Sequence, residues 1–170
     1  MPNQHVSILL TGGTIDSYFS AADEAIKINQ KATIKKYLDF LCLHVAYDFQ
    51  VICRKDSRNV NEKDREKLLK AIVKSSSKNF LILHGTYTMP DTAKFLHDHR
   101  KKFPGKVVTL TGSMVPLEGF AKSDAPFNLG FAIASLLYQK PGVYLAMNGN
   151  MFRSTEVYKH IKKGRFEYSE

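Results

Sequence analysis

His5-Val6-Ser7-Ile8-Leu9-Leu10 is an apolar run that Thr11-Gly12-Gly13-Thr14 ends abruptly. A run this short, suited to a pleated surface and closed by glycines, predicts a buried β-strand entering a tight turn. The same unit recurs four times. Apolar runs at residues 49–54, 80–84, 106–111 and 143–147 lead into Asp56-Ser57, Gly85-Thr86, Thr111-Gly112-Ser113-Met114 and Asn148-Gly149-Asn150. Between the runs the apolar spacing becomes helical. Ile34, Leu38 and Leu41 share a face, as do Leu68, Leu69, Ile72 and Val73, and residues 92–103 and 128–137 have the same character. Five strands alternating with four helices predict an α/β fold, a Rossmann- or flavodoxin-like three-layer sandwich around a mostly parallel sheet. No repeat, low-complexity tract or linker interrupts it, so residues 1–170 read as a single domain. Ligands of such sheets sit beyond the carboxyl ends of the strands. All five polar clusters fall on that edge, which makes it the expected site for a small molecule.

Composition narrows the function. A chain that is 44% hydrophobic and 24% charged has enough apolar material for a packed core and is not a disordered tail. The net charge of +9 would attract polyanions. Yet the basic residues are scattered, apart from Lys159, Lys162, Lys163 and Arg165, and no zinc-ligand, homeodomain or RNP pattern accompanies them. No nucleic-acid partner is expected. No membrane partner is expected either, because no stretch approaches the ~20 apolar residues of a membrane helix. Cys42 and Cys53 lie in apolar runs and are expected as buried, reduced thiols, which suits a cytoplasmic protein.

Gly12 and Gly13 permit a sharp turn and a close approach to main-chain N–H groups. The segment has neither G-x-G-x-x-G nor the P-loop lysine, which argues against a nucleotide. Thr14 just beyond it is a nucleophile if a neighbour takes its proton, or a cap of the next turn. The residues alone leave both open, and capping is the simpler role.

Longer blocks bear on the choice. Thr11-Gly12-Gly13-Thr14-Ile15 resembles the first active-site signature of the bacterial-type L-asparaginases, and His84-Gly85-Thr86-Tyr87-Thr88-Met89 resembles their second. The segment from Pro90 to Leu96 continues the second as family members do. The segments from Leu110 to Pro116, from Ser123 to Leu129 and from Gly142 to Asn148 are similar to later family blocks, as is Val157-Tyr158-Lys159. The matches keep their order along the whole chain. The resemblance implies a hydrolase that converts L-asparagine to L-aspartate and ammonia through an acyl-enzyme, without metal or organic cofactor. It implies Thr14 as nucleophile, Thr86 as second catalytic threonine, Lys159 as the lysine assisting it, and Tyr18 as the tyrosine that activates the nucleophile. Ser57 matches the serine that binds the substrate α-carboxylate. Backbone N–H groups of the Gly-rich turns are suited to an oxyanion. On their own residues Lys159 is a surface lysine, Ser57 a turn residue, and His84 a hydrogen-bonded structural histidine at a strand end.

The pattern breaks in two places. The family's second signature has an Asp where this chain has Tyr87, and a phenol that titrates near pH ~10 does not replace that charge. The substrate ammonium is therefore expected on another acid: Asp16, Asp91 or, next to Ser57, Asp56. Tyr87 would line the pocket. The family also has a smaller second domain, whereas this chain ends soon after the lysine block. It reads as a short single-domain member, expected to cover its open site as a homo-oligomer, a dimer or larger. Alternative functions are a glutaminase or other small-amide hydrolase, and an amino-acid-binding sensor with weakened activity.

Overall fold

A computed structural model describes residues 4–119 and 121–169. The five expected strands are present as β1 (His5–Gly12), β4 (Ala46–Lys55), β5 (Asn79–Leu83), β6 (Val107–Thr111) and β7 (Gly142–Met147). All pair in parallel, in the spatial order β4-β1-β5-β6-β7. Numbered by appearance that order is 2-1-3-4-5, the flavodoxin-like winding, so the chain changes direction between β1 and β5. A short strand β8 (Asn150–Arg153) adds to the far edge antiparallel to β7. The expected three-layer α/β fold is thus the observed one.

Helices α1 (Thr33–Phe40), α2 (Glu62–Lys74), α3 (Met89–Asp98) and α4 (Ala125–Leu136) cover the sheet. Ile34 and Leu38 of α1 join Leu129, Ala132 and Leu136 of α4 against Val6, Ile8, Leu10, Leu81 and Leu83 on one face. Leu68, Leu69 and Ile72 of α2 join Ala93 and Leu96 of α3 against Leu9, Phe80, Ile82, Val108, Leu110 and Leu145 on the other. Alternate residues of each strand feed opposite cores, as the two-residue period requires. Both α3 and α4 start earlier than their apolar spacing indicates, with Pro90 and Pro126 in the first turn, where a missing N–H costs nothing. The basic stretch Arg100–Lys102 is a separate 3-10 turn, so α3 also ends earlier. A capping box of Asn61 and Asp64 opens α2.

Three features escaped the sequence reading. A hairpin of β2 (Ser17–Ser20) and β3 (Ala25–Ile28) follows the first turn, and another of β9 (Val157–His160) and β10 (Arg165–Tyr168) follows β8. These short strands carry mixed polar and apolar residues and have no continuous apolar run. The cysteines also differ from expectation. Cys42 is exposed just past the end of α1, at φ 47. Cys53 is half-buried, because β4 is the edge strand, and its thiol contacts the Thr11 carbonyl at 3.3 Å.

The turns at the carboxyl edge are in backbone contact. Gly13 has φ 86, and a Cβ there would lie 2.3 Å from Cα and N of Gly85. A Cβ on Gly85 would lie 2.7 Å from Cβ of Ser57, and one on Gly112 would lie 2.2 Å from the His84 carbonyl. Glycine is required at Gly13 for conformation and for space. Gly13→Ala is expected to lower stability by at least about 3 kcal/mol. At Gly105, with φ 74 and open surroundings, alanine should cost only about 1 kcal/mol of backbone strain. Urea denaturation of both variants separates the steric from the conformational part, and equal losses would contradict the close contact.

Candidate active site

The first turn sets the floor of the site. Gly13 N–H donates to the Lys55 carbonyl at 2.9 Å, pinning the turn to the end of β4. That N–H is therefore not free for an oxyanion. Lys55 is held in turn by an ion pair with the buried Asp64 at 2.7 Å. Thr14 begins a 3-10 turn, Thr14–Asp16, and is half-buried. The Asp16 carboxylate is buried at the start of α1, where Oδ1 accepts from the backbone N–H of Thr33 at 2.9 Å and of Ile34 at 3.1 Å. It caps that helix and is not among the residues lining the cavity.

The second wall comes from the turn after β4. Asp56 caps a 3-10 turn, Ser57–Asn59, by accepting from the Arg58 N–H at 2.9 Å. The Arg58 guanidinium returns to the same carboxylate, Nε to Oδ1 at 3.0 Å and Nη2 to Oδ2 at 2.8 Å. This pairing holds the Asp56 carboxyl below the usual carboxylate range. Ser57 is buried, and its Oγ accepts from the Tyr87 N–H at 3.1 Å. Its own proton remains available to a carboxylate.

The third wall follows β5. Thr86 is buried, and Lys159 Nζ lies 2.7 Å from its Oγ1. Lys159 reaches it from β9, a long way along the chain. Residues two apart in a strand share a face, so Val157 enters the core while Lys159 enters the site. Phe166 of β10 is buried beneath, and its N–H donates to Asn148 Oδ1 at 3.1 Å. Burial pushes the Lys159 ammonium below the ordinary lysine range, and the Arg58 charge adds to this while Asp56 opposes it. The Tyr87 ring lies 5.2 Å from Lys159 Nζ and 5.7 Å from the Arg58 guanidinium carbon, a neutral π-surface facing two cations.

Met114 closes the fourth side. Its N–H donates to both oxygens of Asp124, whose carboxylate also takes the Val115 N–H and the Asn128 amide. The buried Asn128 further donates to the Gly112 carbonyl and accepts from the Asn148 N–H. One Asp-Asn pair at the head of α4 therefore fixes the loops after β6 and β7.

The result is an open cavity of about 250 Å³ lined by Gly13, Thr14, Asp56, Ser57, Arg58, Gly85, Thr86, Tyr87, Met114 and Lys159. It brings together Thr14, Asp56, Ser57, Thr86, Tyr87 and Lys159, six of the nine residues that the sequence offered for catalysis or substrate binding. Tyr18 is not among them. It sits on the β2–β3 hairpin, 41% exposed. Asp91 is exposed at the start of α3 and also lies outside the lining. Arg58 was overlooked; its signal was an Asp-x-Arg spacing in a strand-end turn. Among the described residues no cluster of His, Cys, Asp or Glu is arranged to hold a metal ion.

The chain matches the family model described as asparaginase, N-terminal, over residues 5–166. This chain belongs to the asparaginase family. It is 34% identical to a probable periplasmic L-asparaginase of Haemophilus influenzae, aligning 94% of this chain with 46% of that protein. It is 32% identical to a glutaminase-asparaginase of Acinetobacter glutaminasificans, aligning 92% of this chain with 50% of that one. The chain thus spans about half the length of the curated relatives it matches. Its fold superposes on the thermostable L-asparaginase of Thermococcus kodakarensis with TM-score 0.80 at 24% identity, covering 97% of this chain and 51% of that one. For a probable cytoplasmic L-asparaginase of Campylobacter jejuni the TM-score is 0.71 at 27% identity, covering 92% and 48%. The relatives are described by different compartments. Among the described residues no helix is long and apolar enough to cross a membrane.

His84 ties the site to the helices behind it. The ring is fully buried, with Nδ1 2.8 Å from the Gly85 carbonyl and Nε2 3.0 Å from Thr92 Oγ1. Burial pushes its pKa down to about 4, so it is neutral in the folded protein near neutrality. Unfolded, it titrates near ~6.5. Between those values the unfolded chain binds the extra proton, so stability is complete above pH ~6.5 and falls as the pH drops towards 4. The fall attributable to His84 is about 3 kcal/mol. Urea denaturation from pH 7 to 4 is expected to show it, and His84→Gln should flatten that slope. An unchanged slope in the variant would contradict the assignment.

Proposed function

We propose that this chain is an amidohydrolase that releases ammonia from a small carboxylate-bearing amide, with L-asparagine to L-aspartate as the parent reaction and the glutamine reaction as its homologue. The observation that carries the reading is the Lys159–Thr86 contact beside Thr14 in one cavity, in a chain whose relatives are described as L-asparaginase and glutaminase-asparaginase. Ser57 offers a hydroxyl to the substrate carboxylate. Thr14 Oγ attacks the amide carbon, its proton passes to the nitrogen, the C–N bond breaks and ammonia leaves. Water then cleaves the threonyl ester, restores the hydroxyl and yields a second carboxylate. Lys159, with a lowered pKa and direct contact to Thr86, is the group suited to move the proton, since a base works best near the operating pH. Tyr18, outside the cavity, has no part in this scheme as the hairpin stands.

One observation favours a different division of labour. Thr86 is the hydroxyl already bonded to an amine, which makes it a competing nucleophile. Acid quench during turnover and peptide mapping of the acyl adduct decide between them, with the adduct expected on Thr14. Thr14→Ala, Thr86→Val and Lys159→Met should each lower kcat by roughly a thousandfold, and double variants should add little. The rate should rise with pH as Lys159 loses its proton, with an apparent pKa below the unperturbed ~10.4. Lys159→Met should abolish that rise, and a variant that keeps it places the base elsewhere.

We further propose that two copies associate through α4. The chain carries no charged residue between Asp124 and Lys140, although its net charge is +9. Phe127 is 61% exposed and Tyr138 is 83% exposed on the outer side of this segment. Two such cationic molecules repel least where they meet through uncharged segments, and residues 125–139 form one. Sedimentation velocity is expected to give a dimer, and Phe127→Asp with Tyr138→Asp a monomer. A monomeric parent protein would exclude the association.

A further inference from the structure

The charge around the cavity is unbalanced. Lys159 and Arg58 both face it, and among its described lining residues Asp56 is the only carboxylate. A free carboxylate has about four lone-pair positions, and Arg58 occupies three of those on Asp56, through its N–H, Nε and Nη2. The pair is two residues apart within one short turn. Tyr87 supplies π-faces to both cations and no negative charge. An α-ammonium entering here would meet the Arg58 guanidinium, Lys159 whenever it carries its proton, and a carboxylate already engaged. A carboxylate entering would meet the Ser57 hydroxyl and the same two cations. Resting on the amidohydrolase reading above, we propose that Arg58 is a specificity-determining residue and that the preferred substrate is the ω-amide of a dicarboxylic acid with no free ammonium on its α-carbon.

The simplest such substrate is succinamate, which differs from asparagine by loss of the amine. Its hydrolysis forms and breaks the same bonds. The threonyl ester replaces the C–N bond, ammonia leaves, and water releases succinate. Masking the amine as an acetamide likewise removes the positive charge, so N-acetyl-L-asparagine tests charge apart from size.

The experiment is ammonia release by the full chain from succinamate, N-acetyl-L-asparagine and L-asparagine, together with calorimetric binding of succinate and L-aspartate. Loss of a like-charge encounter and of competition for Asp56 should favour succinamate over asparagine by at least about tenfold in kcat/KM. Arg58→Gln removes one cation and the two guanidinium bonds to Asp56 while keeping the backbone one, so the succinamate-to-asparagine ratio should fall about tenfold or more. Arg58 is largely exposed, with its side chain at 66%, so circular dichroism of the variant should match the parent. Preference for L-asparagine in the parent protein, or an unchanged ratio in Arg58→Gln, overturns the proposal while leaving the amidohydrolase reading intact. Absence of ammonia from every amide overturns that reading instead. The binding arm then still decides this one, because tighter binding of L-aspartate than of succinate refutes it.

Discussion

The backbone contact between Gly13 and Gly85 is the constraint on which the site depends. A parallel sheet that reverses its winding between two neighbouring strands opens a crevice at their carboxyl ends. Here those strands are β1 and β5, and the crevice is narrowed until two main chains touch. Side chains are thereby excluded from the floor, and the hydroxyls of Thr14 and Thr86, one residue beyond each glycine, line the same small cavity. Ser57 packs against Gly85 from the third turn, so three turns that are far apart in sequence share one contact. Neighbouring groups hold these turns in place: Lys55 and Asp64 behind Gly13, His84 and Thr92 behind Gly85, and Asp124 and Asn128 behind Met114.

The charges are arranged on that frame by a separate device. The β9–β10 hairpin lies outside the central sheet, yet Val157 and Phe166 bury in its core and set the hairpin's orientation. Because strand residues alternate, the same orientation delivers Lys159 to Thr86. Partial burial then works on the amine, disfavouring its charged form, and Arg58 pushes in the same direction. One cation thus serves two ends. It lowers the pKa of a neighbouring lysine, and it engages the only carboxylate of the described lining, so the cavity is net positive while Lys159 carries its proton.

Local sequence carried the sheet, its parallel sense and the edge where the cavity opens, because buried strands need continuous apolar runs and the turns after them need glycine. Residues 5–10 and 80–84 show this directly, each followed by a glycine and a threonine. Proline placed the true starts of α3 and α4, and spacing alone misjudged them. The hairpins were illegible, since β2, β3, β9 and β10 are short, mixed in polarity and held by packing instead of pattern. Cys42 was misread because a cysteine in an apolar run is buried only if the chain turns inward there, and at φ 47 it turns out.

For the cavity, Thr14, Thr86, Ser57 and Lys159 were legible as candidates from motifs that keep their order along the chain, and all four line it. Their juxtaposition was not, because 73 residues separate Lys159 from Thr86 and only the packing of a hairpin closes that distance. The same holds for the partners of Asp16, whereas the Arg58 that engages Asp56 is only two residues away. By sequence both are carboxylates near a strand-end turn, equally fit to hold a substrate ammonium. In the fold Asp16 is taken by the N-terminus of α1 and Asp56 by Arg58. The sequence by itself determined which chemical groups this protein possesses and which edge of the sheet carries them. Only the tertiary structure decided which groups far apart in the chain are bound to one another, because a hydrogen bond engages a carboxylate through proximity in space, and order along the chain does not record that.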